Sequence, residues 1–482
     1  MSATVDPSPG QSTAPTSRRA GRRLVAGLLV AMVAGGCASP PRPLTPAEAA
    51  GLVTATDLAA HLDAIAAIAE DRAGTRGTGG PGNLATAAYV ERVLAGLGYA
   101  PTILPLTTFV FDDSGGSEVA IAGGPTFADA SRVRSQVFSP AGVAEGPIVD
   151  LGWDPASRTA EGAGCDAADF AGLPPGAIVL TQPAPCFRRA VLENAQAAGA
   201  GALVTAAPWT GPGEIRRSTL VTPAGLSIPA VVVSRDVADA LAEGAARGQR
   251  ARVTATGASR EASLRSVLAE RTGADPSRVV MLGAHLDSSL DGPGLNDDGS
   301  GVAAILAIAR AFSEATPATT LRFAFWAAEE TGLHGSTSYV DTLSQIERAR
   351  IVGYLNADML GSPNGFAGVY DEPAAPQGSA QIRDSLAAAL DAAGVAWEPV
   401  DTGLGADHAP FAAAGIPTGG VFAGASEPLA AAQAERSGGR VGVPADACYH
   451  LACDDRANVN EALLLELARA LAWAAADPGA SD

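Results

Sequence analysis

The stretch VVMLGAHLDSSLDGPGLNDDGSGVAAILAIARAF, residues 279–312, decides the fold class. It begins with an apolar run of strand length, residues 279–284, and ends with a longer apolar segment, residues 299–312, that is typical of a buried helix. His285 follows the strand, and the pair Asp297-Asp298 precedes the helix, where the helix dipole favours negative charge. This order predicts an α/β fold whose functional site lies at the carboxyl end of the strand.

Two further apolar runs are each followed by acidic residues. Residues 321–326 are mainly aromatic and aliphatic and precede the pair Glu329-Glu330, and residues 351–355 precede Asp358. Open α/β sheets place their ligand sites at the carboxyl ends of their strands. These carboxylates are therefore expected to converge on one edge of one sheet, together with the imidazole that follows the first strand.

This residue mix matches the ligands of a pair of zinc ions. Zinc takes imidazole nitrogen and carboxylate oxygen at about 2.0–2.2 Å and keeps a position open for water in catalytic sites. Two ions about 3.5–4 Å apart need a bridging carboxylate and terminal ligands on either side. Five residues supply this set, namely His285, Asp297, Glu330, Asp358 and His450. Because Glu329 remains as a free carboxylate that can act as a base, the sequence predicts a hydrolase.

Six strings in the C-terminal half resemble the zinc aminopeptidases of peptidase family M28, and most of all the secreted aminopeptidases of streptomycetes. They are GAHLDS, LNDDGSG, FWAAEETGLHGS, NADMLGSP, DHAPF and CYHLACD. The likeness runs over residues 265–475, and residues 61–109 resemble the segment that opens the same catalytic domain. Six motifs in the right order are far more specific than one. The resemblance implies an α/β three-layer sandwich with a mixed central β-sheet.

The resemblance also implies a role for each ligand residue. It assigns His285 and Asp358 to one zinc, Glu330 and His450 to the other, and Asp297 to the bridge. Two zinc ions per chain are therefore expected, with peptides that carry a free N-terminus as substrates. The implied reaction removes N-terminal residues, mainly apolar ones.

Three further residues receive catalytic roles from the same likeness. Glu329 is implied as the general base that takes a proton from the metal-bridging water and returns it to the leaving amine. Asp287 is implied to hydrogen-bond the second ring nitrogen of the first histidine ligand and so to orient it. Tyr449 is implied to donate to the oxyanion of the tetrahedral intermediate.

One departure concerns specificity. Similar enzymes carry an arginine shortly before the DHAPF string, where this chain has Leu404-Gly405-Ala406. Gly405 cannot make that polar contact with the substrate. We therefore expect a looser or shifted substrate preference, with apolar first residues such as leucine as the best candidates.

Other functions fit part of the pattern. A single-zinc glutaminyl cyclase-like acyltransferase has a similar fold, an M28-type carboxypeptidase stays within the hydrolases, and a receptor-like protein would keep the fold without catalysis. The bridging aspartate and the paired glutamates favour hydrolysis, and the complete ligand set argues against a receptor. The remaining histidines, His61, His334 and His408, are interpreted as structural, with His408 the nearest to the expected pocket.

Residues 128–257 interrupt the catalytic pattern. Short β segments are predicted at residues 146–151, 177–181, 202–206 and 228–234, with a helix at 188–198. The string from Gly164-Cys165-Asp166 to Phe170, with the segments that follow it, resembles a protease-associated (PA) domain. In similar proteins this β-rich module is inserted into the catalytic domain and carries no catalytic residues. The peptidase domain would then comprise residues 57–127 and 258–478, and the insertion is expected to act as a lid or gate.

The N-terminus has the pattern of an export signal, residues 1–36. Four arginines between positions 18 and 23 form a basic region, and residues 24–33 are an apolar run too short to span a bilayer. Ala34-Gly35-Gly36-Cys37 resembles a lipobox with Cys37 as the lipidated residue, and plain secretory cleavage is the alternative. Residues 37–56 are then predicted to form a proline-rich tether. We expect an exported monomer that is either anchored to the outer face of the membrane or secreted.

Composition and cysteine content agree with export. The chain of 482 residues is 47% hydrophobic, which excludes general disorder, and its formal charge of −19 argues against nucleic-acid binding. Apart from the lipobox cysteine, four remain, Cys165, Cys186, Cys448 and Cys453. An even number, paired by proximity, suggests two disulfides in an oxidising compartment. Zinc–thiolate ligation is the alternative, but no CxxC spacing supports it.

Overall fold

The computed structural model describes residues 42–113, 115–157, 164–207, 211 and 213–479. The predicted signal segment and Cys37 lie outside the described residues. Within those ranges no single helix is long and apolar enough to cross a membrane. One bent pair, Pro46–Leu52 with Ala55–Glu70, meets the criterion by length and composition alone.

The helices of the described chain are α1 (Pro46–Leu52), α2 (Ala55–Glu70), α3 (Pro81–Gly96), α4 (Arg188–Ala197), α5 (Arg235–Ala246), α6 (Gly299–Phe312), α7 (His334–Thr342), α8 (Gln345–Arg350), α9 (Ser379–Ala393), α10 (Ala409–Ala413), α11 (Ala431–Ser437) and α12 (Glu461–Ala476). The strands are β1 (Thr102–Asp112), β2 (Glu118–Ile121), β3 (Thr126–Phe127), β4 (Val133–Ser135), β5 (Gly142–Asp150), β6 (Ile178–Thr181), β7 (Ala202–Ala206), β8 (Ala230–Val233), β9 (Arg250–Ala255), β10 (Ala258–Arg271), β11 (Asp275–His285), β12 (Thr319–Trp326), β13 (Ile351–Ala357), β14 (Ala367–Tyr370), β15 (Trp397–Val400) and β16 (Thr418–Phe422).

The catalytic half is built on a mixed sheet with the strand order β1-β10-β12-β11-β13-β16-β14-β15. The four central strands, β12, β11, β13 and β16, run parallel, and β1 pairs antiparallel with β10. Alternate residues of β11 face opposite sides. Val280 and Leu282 pack in the core with α2, α6 and α12, whereas Met281 packs on the other face with α7 and α10. The predicted three-layer sandwich is thereby confirmed.

Burial on both faces explains why these strands are continuous apolar runs in the sequence. It also fixes where their polar ends emerge. His285 is the last residue of β11, Glu329 and Glu330 follow the end of β12, and Asp358 follows β13 directly. Because β12, β11 and β13 are parallel neighbours, all of these side chains lie at one edge of the sheet.

A second sheet forms the inserted domain, in the order β3-β2-β9-β5-β6-β7-β8-β4. Helix α4 matches the predicted helix to within one residue, and the four predicted β segments overlap β5 to β8. Strands β2 and β3 also join this sheet, although both precede residue 128, where the insertion was predicted to begin. These strands are only four and two residues long, and such short segments leave little periodicity to detect.

The predicted tether differs from the structure over its second half. Residues Pro46–Leu52 form α1, which packs against α12 with Ala49 and Val53 fully buried. Thr45 caps this helix in a reciprocal capping box with Glu48, and Pro46 occupies the first turn. Pro46, the last of the four prolines that suggested a tether, is therefore a helix-start signal.

Candidate metal centre

The five predicted ligand residues meet at the carboxyl edge of the central sheet in two overlapping groups. The first group is His285, Asp297 and Asp358, and the second is Asp297, Glu330 and His450. Within each group the candidate ligand atoms lie within 4.8 Å of one another. Asp297 belongs to both groups, which is the position that a bridging carboxylate would occupy.

The two oxygens of Asp297 face two different imidazoles. Its Oδ1 lies 3.2 Å from Nε2 of His285, and its Oδ2 lies 3.0 Å from Nε2 of His450. Asp358 Oδ1 is 3.7 Å from the first imidazole, and Glu330 Oε2 is 3.1 Å from the second. The site therefore has one carboxylate between two half-sites, each with its own histidine and its own acidic residue.

The donor set fits divalent cations. Glu330 Oε1 and Asp358 Oδ1 are buried without a hydrogen-bond partner among the described residues. A buried carboxylate oxygen is costly unless it accepts hydrogen bonds or binds a metal. Imidazole with carboxylate is the combination that zinc takes in catalytic sites. The residues present therefore suit zinc.

The electrostatics of the cluster show an excess of negative charge. Burial alone would lower the pKa of His285, but the surrounding carboxylates, Glu329 first among them, hold it well above the usual value. Burial would also lower the pKa of His450, but the negative charge of Glu330 outweighs that effect and the pKa is raised. Burial and neighbouring carboxylates raise the pKa of Glu329. Cations placed between these groups would relieve the repulsion.

Main-chain contacts fix the first half-site. Nδ1 of His285 lies 3.0 Å from the main-chain carbonyl of Asp287, whereas the carboxylate oxygen Oδ1 is 3.8 Å away. The predicted orienting residue thus contacts the ring through its carbonyl. Its carboxylate serves another purpose, since it accepts from the main-chain N–H of Glu329 (3.2 Å) and from the hydroxyl of Thr78 (2.6 Å). Asp287 therefore positions both the histidine and the predicted base.

The second half-site lies on a short loop closed by a disulfide. Cys448 and Cys453 are bonded, as predicted, on either side of His450. His450 has a φ of +60°, a left-handed conformation that is uncommon for a residue with a side chain. The ring of Tyr449 stacks on the histidine with 3.8 Å between centroids, and Arg216 of the inserted domain donates to the Tyr449 carbonyl (2.9 Å). The loop is thus held by a covalent bond, by stacking and by the inserted domain.

Two residues that sequence reasoning missed support the bridging position. Arg76 is fully buried and donates to the main-chain carbonyls of Leu286, Pro293 and Gly294 at 2.7, 2.8 and 2.5 Å. It thereby shapes the loop between the first histidine and the bridging aspartate. Asp454 accepts from the main-chain N–H of Asp297 (3.1 Å), and burial raises its pKa to about 7. Asp454 is the last residue of the string CYHLACD. Its role could not be read from that string because it contacts the main chain of Asp297, 157 residues away.

The other histidines lie outside both groups. His61 Nδ1 contacts the hydroxyl of Tyr89 (2.7 Å), and His408 Nε2 contacts Glu372 Oε1 (3.0 Å). Glu372 also accepts from the main-chain N–H of Leu404 (3.3 Å). The loop that carries Gly405 is therefore held by a buried histidine–glutamate contact.

Comparisons with known proteins agree with this geometry. Residues 266–475 match the family model "Peptidase family M28", and residues 144–241 match the PA domain. An aminopeptidase of Pseudomonas aeruginosa is 32% identical over 437 residues, which cover 88% of this chain and 81% of that protein. A probable lipoprotein aminopeptidase of Mycobacterium tuberculosis is 34% identical, with 86% and 82% covered. The structure of an aminopeptidase from Aneurinibacillus superposes with a TM-score of 0.70 at 23% identity and covers 90% of this chain and 96% of that one.

The protein is an enzyme of the zinc-dependent aminopeptidase class, as its fold, its cluster of carboxylates and imidazoles and its relatives together show. The chain belongs to peptidase family M28 and carries an inserted PA domain.

Proposed function

We propose that the protein removes N-terminal residues from peptides with two zinc ions. One ion is held by His285, Asp297 and Asp358, and the other by Asp297, Glu330 and His450. The observation that carries this proposal is the position of Asp297, whose two oxygens lie 3.2 and 3.0 Å from the two imidazoles. When bound, such an ion pair polarises the scissile carbonyl and lowers the pKa of water.

Glu329 acts as the general base. It stands beside the first half-site, with its Oε2 3.9 Å from Nε2 of His285, and it belongs to neither ligand group. A carboxylate in this place can take a proton from the attacking water and return it to the leaving amine. Because Asp287 holds the main chain of Glu329, the base has a fixed position relative to the first histidine.

Tyr449 stabilises the charge that develops on the substrate oxygen. Its ring is held against His450 by stacking, which places the tyrosine next to the second half-site. A hydroxyl in that position can donate to the oxyanion, and such donors act most strongly in sites that exclude water.

The substrate's free amine is held by the carboxylates of Glu329 and Asp358. Charge-assisted hydrogen bonds from an ammonium group to such carboxylates are about twice as strong as neutral ones. The preferred first residue is apolar, with leucine the leading candidate, and Gly405 in place of the arginine of similar enzymes makes this preference looser or shifted. Blocking the amine removes the cation and adds bulk where the pocket ends.

The test compares leucine p-nitroanilide with its N-acetyl form, together with zinc analysis of the purified full chain. We expect rapid release from the free substrate, far slower release from the blocked one, and about two zinc ions per chain. Activity should be lost on chelation and restored by zinc. Equal cleavage of both substrates would overturn the aminopeptidase proposal in favour of a carboxypeptidase or endopeptidase. A single essential zinc would favour the glutaminyl cyclase-like alternative.

We propose further that the protein is exported and acts as a monomer outside the cytoplasm. The disulfides Cys165–Cys186 and Cys448–Cys453 suit an oxidising compartment. The likeness to a probable lipoprotein aminopeptidase supports lipidation of Cys37. Mass spectrometry of the native N-terminus tests this, and Cys37→Ser should release the protein or block its processing. An unmodified N-terminus at another residue would leave plain secretion.

A further inference from the structure

A cleft of about 360 Å³ runs from the metal centre to the inserted domain. Glu330, Tyr449 and His450 line its catalytic end, and residues of the inserted domain, among them Arg188 and Arg216, line the opposite wall. This volume is near the lower end of the range of about 300–1,000 Å³ that is usual for small-molecule sites. The cleft therefore suits a short peptide.

Three arginines line this cleft, and two of them are already engaged. Arg217 pairs with Asp113 and Asp291, and Arg216 donates to the carbonyls of Tyr449 and Ala447. Arg188 has no ion pair or hydrogen bond with any residue that the structure describes. Its guanidinium carbon lies 5.5 Å from the ring centroid of the neighbouring Phe187, and the residue as a whole is accessible to solvent. Arg188 is thus the available cation of the cleft.

The backbone position of Arg188 is fixed. It is the first residue of α4, two residues after Cys186, which is bonded to Cys165. The side chain is also close enough to Tyr449 to interact with it electrostatically. A covalent anchor next to an unpaired guanidinium is the arrangement expected of a preorganised contact for an anion.

The direction in which a substrate would extend follows from the two walls. The carboxylates proposed to hold the amine, Glu329 and Asp358, do not line the cleft, whereas Glu330 and His450 do. The substrate's amine would lie beside Glu329 and Asp358, and its scissile carbonyl would lie between the two half-sites. The residues that follow the scissile bond would then enter the cleft. Their end then approaches the inserted domain.

We propose that Arg188 binds the C-terminal carboxylate of di- and tripeptide substrates, so that the inserted domain makes the enzyme prefer short peptides with a free C-terminus. This inference rests on the proposed function. It gives the PA domain a direct role in specificity, because a residue of that domain contacts the part of the substrate beyond the scissile bond.

The experiment measures kcat/KM of the full zinc-loaded chain by leucine release from Leu-Gly-Gly, Leu-Gly-Gly-amide and Leu-Gly-Asp-amide. We expect the free tripeptide to be preferred over its amide by about 10- to 100-fold, mainly through KM, as for a hydrogen-bonded contact between charged groups. In Arg188→Gln this ratio should fall to about one. Arg188→Lys keeps the charge and should retain part of the preference. Arg247→Gln is the matched control, since Arg247 forms an exposed ion pair with Glu243 of the same domain.

The outcomes separate the two proposals. If wild type cleaves none of the peptides and not leucine p-nitroanilide, the aminopeptidase function itself fails. If wild type cleaves peptide and amide equally, or if Arg188→Gln slows both by the same factor, the role of Arg188 is wrong while the aminopeptidase function stands. A preference for Leu-Gly-Asp-amide alone would show that an acidic side chain, and not the chain terminus, is the bound carboxylate.

Discussion

Arg217 of the inserted domain and Asp291 of the catalytic domain form a two-point ion pair. Nε of Arg217 donates to Oδ2 (2.8 Å) and a terminal nitrogen donates to Oδ1 (2.5 Å). Both side chains are buried, with exposed fractions of 3% and 6%. Asp291 lies in the loop between His285 and Asp297, so this contact ties the inserted domain to the loop that carries two candidate metal ligands.

Replacing Arg217 with methionine should therefore destabilise the protein strongly. Removal of one partner from a buried ion pair costs about 3–5 kcal/mol. Because Arg134 still pairs with Asp291 (2.7 Å), we expect a loss at the lower end of that range. Urea denaturation should show this loss in the free energy of unfolding. Arg247→Met, which breaks an exposed pair, should cost at most about 1 kcal/mol. Equal small losses in both variants would mean that the Arg217 contact does not hold the domains.

Zinc content should distinguish the bridging residue from the terminal ones. Asp297→Ala removes a carboxylate shared by both half-sites, so the purified variant should bind little zinc at either. His285→Ala or His450→Ala should lower the content from about two ions to about one. Elemental analysis after gel filtration measures this. If Asp297→Ala kept one full equivalent, the bridging assignment would be wrong.

Glu329→Gln separates the base from the ligands. The amide keeps the size of the side chain but cannot take up the proton, so kcat should fall by roughly 10²–10⁴-fold while zinc content stays near normal. Glu330→Ala should instead reduce zinc content. Glu435→Gln, on an exposed helical position, is the control and should change neither quantity. Near-normal turnover in Glu329→Gln would contradict the proposed mechanism.

The free energy of unfolding of the metal-free protein, prepared with a chelator, should fall as the pH rises from 5 to 8. Burial raises the pKa of Asp407 to about 7, far above the unfolded value of about 3.9. A raised carboxyl pKa means that the folded state favours the protonated form, so this stability is lost as the pH passes through the folded pKa. The pKa values of His285 and His450 are also raised, so these residues likewise lower the stability as the pH rises.

Thermal unfolding of the EDTA-treated protein at pH 5.5, 7 and 8 tests this expectation. Asp407→Asn should flatten the dependence, and added zinc should stabilise most at the highest pH. A melting temperature that rose over the same pH interval would contradict the expected loss of stability.

The disulfide around His450 should matter more for activity than for stability. By loop closure, a bond that closes six residues stabilises by only about 2 kcal/mol. Without it, the left-handed backbone at His450 is held only by noncovalent contacts, so the Cys448→Ser/Cys453→Ser double variant should lose zinc from the second half-site. Cys165→Ser/Cys186→Ser is the comparison and should leave zinc content intact. Equal zinc content in both double variants would exclude this role.

The central strands and α6 were predictable because their signals are local. Strands buried on both faces are continuous apolar runs, and α6 has the predicted bounds Gly299–Phe312 with Asp298 as its N-cap. Most of the ligand residues adjoin these elements: His285, Glu330 and Asp358 follow strands, and Asp297 precedes α6. Their convergence could therefore be inferred from local signals, whereas the place of His450 rested on the family resemblance.

The supporting contacts could not be predicted in this way. Arg76 reaches carbonyls more than 200 residues along the chain, and Arg217 meets Asp291 across two domains. Such pairs have no periodicity and no spacing rule. The role of Asp287 was inferred from a family likeness, and only the structure shows that its carbonyl contacts the histidine while its carboxylate holds Glu329.

The inserted domain departs from and returns to a single β-ribbon. Strands β1 and β10 remain paired from Thr102 opposite Leu268 to Asp112 opposite Ala258, so the chain leaves and re-enters the catalytic domain at adjacent points. A gene-level gain or loss of the whole module would therefore leave every strand of the central sheet in register. The strands of the catalytic sheet thus do not depend on the module for their pairing, whereas the contacts of Arg216 and Arg217 with the catalytic loops are gained or lost together with it.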